Sequence, residues 1–142
     1  MLEIIYEQPP FISEAREIFR LPEGVIFTWG KKIFNPSHKA IDEPLFKHEE
    51  CHSKQQGEYP DVWWSRYLKD IDFRLSQEIP AYQIQFKSAK EFIKDKNKLN
   101  TYLISLASDL SGQMYGSIMS FSDAFEAIKR EQLYEFKTEM YN

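Results

Sequence analysis

Residues 46–60 read FKHEECHSKQQGEYP, which sets His48 and His52 four apart with Glu49 directly after the first. Residues four apart on a helix stand on one face, so both imidazoles can reach one metal ion. A glutamate in the second slot can then serve as a base beside that metal. A helical wheel over 42–56 tests which way the histidines turn. Glu43, Lys47, Glu50 and Lys54 fall on one stripe and form two Glu-to-Lys pairs four apart, the favourable order on a solvated face. His48 and His52 fall opposite, near Leu45, Gln55 and Gln56. They therefore point inward, where an unpaired polar group costs about 1–3 kcal/mol. Either both are hydrogen-bonded core histidines or they share a metal, and the motif favours the metal.

A catalytic zinc site wants three protein ligands and one open position. His38, in the loop NPSHKA, reads as a surface residue. Glu58 stands six after His52, where another zincin class places its third ligand. That geometry needs glycine three after the second histidine, and here the position is Gln55. Glu78 is the stronger candidate. It lies in FRLSQEIPAYQIQF on a helical face shared with Leu75, Tyr82 and Phe86. A carboxylate on an apolar face needs a counter-charge, which a metal supplies and which Arg66 or Arg74 could supply instead. Cys51 lies about 60° to 100° from the histidines on the wheel and reads as a small buried side chain.

These residues need a framework, and the chain is of a size for one domain spanning 1–142, large enough to bury a core. Short strands are expected at 2–6 and in a hairpin over VIFTWGKKIFNP, turning at Gly30 and Lys31 and stopped by Pro36. A helix capped by Ser13 lies between them. Helices follow near 42–56, 62–70, 72–95, 98–112 and 121–137. Leu99, Tyr102, Leu103, Leu106 and Leu110 form an apolar stripe in the fourth of these. Pro80 is expected to kink the third or shift its start. Of the adjacent Trp63 and Trp64, one is expected in the core and one partly exposed. Strands first and helices after make an α+β layout.

The net charge of −4 gives no electrostatic basis for binding nucleic acid or an anionic membrane surface. One cysteine permits no internal disulfide. No apolar run approaches the roughly 20 residues that span a bilayer, and MLEIIYEQPP is not a signal peptide. The chain is expected to stay in the cytoplasm where it is made.

HEECH followed by QEIPA resembles the gluzincin zinc metallopeptidases, whose two histidines come from one helix and whose glutamate comes from a second. More narrowly, GVIFTWGKKIFNP, HEECHSKQQG, WWSRYL, QEIPAYQ and MYGSIMSFSDAFEAI resemble short zincin-like proteins of phages and prophages, over about residues 24 to 128. The resemblance implies a zincin-like fold, with a small sheet of about three strands on a helical body. It implies Zn2+ held by His48, His52 and Glu78, with Glu49 as general base. It implies an oxyanion donor, for which Tyr115 and Tyr82 are the candidates. A peptide or protein substrate would add as a strand along the hairpin edge, where Trp29 and Phe34 either shape a pocket or belong to the core. Two further readings stay open: a catalytically silent zincin-fold protein, such as a phage assembly component, and a metal-free interaction domain.

Overall fold

The computed structural model describes residues 2–22 and 24–130. It has a three-stranded mixed sheet and, among the described residues, six α-helices, so the architecture is α+β and mainly helical. Strands β1 (Glu3–Ile5), β2 (Phe27–Trp29) and β3 (Lys32–Phe34) lie in the order β1-β3-β2. β1 runs parallel to β3, and β2 runs antiparallel to it. The hairpin turns where expected. Gly30 takes φ 60°, a left-handed value that suits glycine at the first central position of a two-residue hairpin turn.

Helix α1 (Ile12–Ile18) stands between the first two strands. Ser13 does not cap it. The helix begins two residues earlier than such a cap would set it, behind Phe11, which buries its ring against Trp64 and Phe27. Packing of that ring, not a hydroxyl cap, sets the start. The remaining helices are α2 (Glu43–Gln56), α3 (Pro60–Lys69), α4 (Ile71–Phe92), α5 (Lys96–Leu110) and α6 (Phe121–Lys129). The part of the last expected helix beyond residue 130 lies outside the described residues.

Four side-chain caps mark helix starts among the described residues. Asp42, Asp70, Asp95 and Ser120 accept hydrogen bonds from the first-turn N–H groups of α2, α4, α5 and α6. Pro80 neither shifts the start of α4 nor ends it, and the helix runs unbroken from Ile71 to Phe92. A proline inside a helix costs about 3 kcal/mol. α4 offsets that by burial along its length, with Phe73, Ala81, Tyr82, Phe86 and Ala89 all in the core. Its closest partner is α2. In α5 the expected stripe is observed: Leu103, Leu106 and Leu110 are buried, and Leu99 and Tyr102 pack against them.

Both tryptophans of α3 are buried, contrary to the expected split. The helix is enclosed on two sides. Trp63 Nε1 donates to Gln77 on α4, and Trp64 Nε1 donates to the Thr28 carbonyl on β2. Among the described residues no helix is long and apolar enough to cross a membrane.

Candidate metal centre

α2 and α4 lie against each other and carry the candidate ligands. On the solvated stripe of α2 the expected Glu50–Lys54 pair forms at 3.9 Å, but Lys47 pairs with Glu50 at 3.7 Å and not with Glu43. On the inner face His48 and His52 are buried, and Glu78 comes from the facing side of α4. Their Nε2, Nε2 and Oε1 atoms form a compact triangle. The two Nε2 atoms stand 3.2 Å apart, and Glu78 Oε1 lies 3.2 Å from His52 and 3.4 Å from His48. These three residues can hold a metal ion.

The outer atoms of all three are taken. His48 Nδ1 lies 2.8 Å from Gln85 Oε1, and His52 Nδ1 lies 2.8 Å from Gln55 Oε1. Tyr67 donates its hydroxyl to Glu78 Oε2 at 2.5 Å. Each candidate ligand thus has one atom bound outward and one facing the triangle, an arrangement by which outer partners can orient metal ligands. Burial opposes charge on His52, but the Glu78 carboxylate outweighs it and pushes the group up to about 9. Burial also works against ionised Glu78, yet His52 and His48 together hold its carboxyl well below the usual range.

Glu49 is buried beside the triangle but does not join it. Thr28 donates its hydroxyl to Glu49 Oε1 at 2.8 Å, and Oε2 lies 3.9 Å from His48 Nε2. Tyr82 packs the edge of its ring against His48, with centroids 4.5 Å apart. Its hydroxyl meets that of Tyr115 at 2.7 Å. Burial first, and Glu78 second, push both phenols well above their ordinary value, so both stay protonated. Glu49, Tyr82, Tyr115 and the three candidate ligands all line one cleft of about 410 Å³.

Other candidates separate from this cluster. His38 is exposed and stacks on Tyr6 at 4.2 Å, and Glu58 is exposed at the end of α2. Neither arginine pairs with Glu78. Arg66 lies over the Phe73 ring, and Arg74 spends its N–H groups on the carbonyls of Tyr67, Leu68 and Tyr115. Cys51 is buried, as expected. Trp29 and Phe34 do not line the cleft, whose wall on this side is Gly24 to Thr28. Phe34 is core, and Trp29 stacks near Phe11.

Sequence reasoning missed Tyr67, Thr28, Gln55 and Gln85 as partners. Gln55 had a signal, standing three after His52 on the same helical face. Tyr67 and Thr28 reach the site only through tertiary packing and had none. No protein-family model, curated protein or solved structure matches this chain.

Proposed function

We propose that this chain is a zinc-dependent peptidase of zincin-like fold, with Glu49 as its general base. The observation that carries the reading is the triangle of His48 Nε2, His52 Nε2 and Glu78 Oε1, with edges of 3.2, 3.2 and 3.4 Å. Ligands 2.0–2.1 Å from a tetrahedral zinc stand about 3.3–3.4 Å apart, so three such atoms fit one face of its shell. An octahedral magnesium site at a similar bond length has adjacent ligands about 2.9 Å apart and prefers oxygen donors. Zinc held there would act as a Lewis acid, polarising the scissile carbonyl and easing deprotonation of water.

The chain's own residues supply the rest. Thr28 anchors Glu49 Oε1, which leaves Oε2 to take a proton from the attacking water and pass it to the leaving amine. Because Glu49 stands outside the triangle, it can exchange protons without giving up a ligand. Tyr115 and Tyr82 line the cleft and are bonded to each other, and one of them would donate to the oxyanion that develops on the carbonyl.

β2 is an edge strand. Lys31 C=O and Asn35 N–H bond to β1, so strand alternation turns the backbone groups of Thr28 away from β3. Its carbonyl accepts from Gln56 and Trp64. The N–H of Thr28 and the backbone of Ile26 remain for an extended peptide lying in the cleft.

The test compares purified wild type with Glu49→Gln, by elemental analysis and by mass spectrometry of a broad peptide library with a chelator control. Both proteins should carry one zinc, and the variant should lose about 10²–10⁴-fold in hydrolysis. A wild type without zinc overturns the reading. Zinc in both with cleavage by neither would leave a metal-stabilised structural protein.

A further inference from the structure

We propose that Gln55 is a positioning residue that locks His52 in the tautomer whose Nε2 faces the metal centre; the inference rests on the metal reading above. Gln55 Nε2 donates to the main-chain carbonyl of Gln77 at 2.9 Å. A carbonyl oxygen only accepts, so this end of the amide must be the NH₂ end. The other end, Oε1, then meets His52 Nδ1 at 2.8 Å and requires a proton there. A neutral imidazole has one N–H. With that proton on Nδ1, the Nε2 lone pair is bare and faces Glu78 Oε1 and His48 Nε2, both at 3.2 Å. Gln55 and His52 are both buried, so water does not compete for these bonds.

The anchoring carbonyl belongs to the residue directly before Glu78. Gln77 is itself held, because its side-chain oxygen accepts from Trp63 Nε1 at 2.7 Å. One turn of α4 therefore presents the carboxylate ligand and also orients the imidazole ligand on α2. His48 has the same kind of partner without the lock. Gln85 Oε1 lies 2.8 Å from His48 Nδ1, but Gln85 Nε2 bonds the hydroxyl of Tyr102. A hydroxyl both donates and accepts. The Gln85 amide can turn over without losing that bond, and turned over it would drive the proton of His48 onto Nε2. The two histidines thus differ: His52 is fixed as a ligand from outside, and His48 is not.

Chelator competition for zinc and ring ¹⁵N spectra would test this on the full chain. In zinc-loaded wild type, His52 should bind through Nε2 and keep a slowly exchanging Nδ1–H. Coordination through Nδ1 overturns the lock without any variant. Gln55→Leu should weaken zinc binding roughly 10–100-fold, the usual effect of removing an outer partner, and should expose the Nδ1–H to rapid exchange. Gln85→Leu should weaken zinc binding less than Gln55→Leu does. Wild-type affinity and an unchanged His52 Nδ1–H signal in Gln55→Leu would overturn the proposal. A wild type that takes no zinc sinks the metal reading instead. Nδ1–H exchange in metal-free wild type and Gln55→Leu then reads the Gln55–His52 bond by itself, and equal protection overturns the proposal.

Discussion

Glu78→Gln removes the charge of the proposed third ligand while keeping the shape of the side chain. The amide has one oxygen, so if it still accepts from the Tyr67 hydroxyl that bonds Glu78 Oε2, the NH₂ faces the metal. The negative charge goes either way. Zinc that binds the folded state alone stabilises it by about 4.1 kcal/mol at a thousandfold excess over Kd. Unfolding entropy is about 2.1 cal/mol/K per residue, or ~0.3 kcal/mol/K for this chain of 142 residues. The wild-type Tm should therefore rise by ~14 °C on adding zinc at that excess. Removing one member of a buried charged set costs about 3–5 kcal/mol, close to a thousandfold in Kd. At the same zinc concentration the variant would keep only ~0.4 kcal/mol of stabilisation, or ~1 °C. Scanning calorimetry of chelator-treated proteins, with and without zinc, reads both shifts. A variant that keeps the full shift would refute Glu78 as a ligand, and a wild type with no shift would refute the centre.

Thr28→Val removes the hydroxyl that donates to Glu49 Oε1 in a buried setting. It should cost roughly 1–3 kcal/mol, seen as a lower urea midpoint at unchanged slope. Zinc uptake should persist while hydrolysis falls, and an unchanged midpoint would count against the Thr28–Glu49 bond. Cys51 is 1% exposed, and burial, with Glu78 and Glu49 adding, pushes its thiol far up. Iodoacetamide at neutral pH should leave it intact in the native protein and label it fully after denaturation. Labelling of native protein at the rate of a free thiol would contradict this burial.

The parts of the fold that local chemistry decides were legible in the sequence. The hairpin turn at Gly30, the helix near 42–56 and the inward face of His48 and His52 all follow from residue types and spacing. Glu78 was legible as a carboxylate on an apolar face. What escaped was set by packing between distant segments. Pro80 reads as a kink or a shifted start because its local cost is plain, while the burial of α4 that offsets it is not. One of Trp63 and Trp64 reads as partly exposed on an isolated helix, but the Thr28 carbonyl on β2 gives the Trp64 indole a buried partner. Arg74 looked like a partner for Glu78. It serves carbonyls at the end of α3 and beside Tyr115 instead, and the Glu78 oxygen goes to Tyr67.

That exchange of partners bears on why the proposed centre would favour a divalent ion. Glu49 and Glu78 are both buried, and among the described residues no lysine or arginine lies within ion-pair distance of either. The outer partners Gln55, Gln85 and Tyr67 are all neutral, so they orient the ligands without adding charge. Two carboxylates ionised together would carry a charge of −2 in a poorly solvated place, where uncompensated charge is costly. A proton on His52, the group pushed up to about 9, offsets only half of it. A divalent cation offsets all of it and also uses both Nε2 lone pairs. On this reading the neutrality of the outer shell matters as much as the identity of the ligands. A carboxylate in place of Gln55 or Gln85 would leave the bound site negative and make the metal a weaker acid toward water and carbonyl.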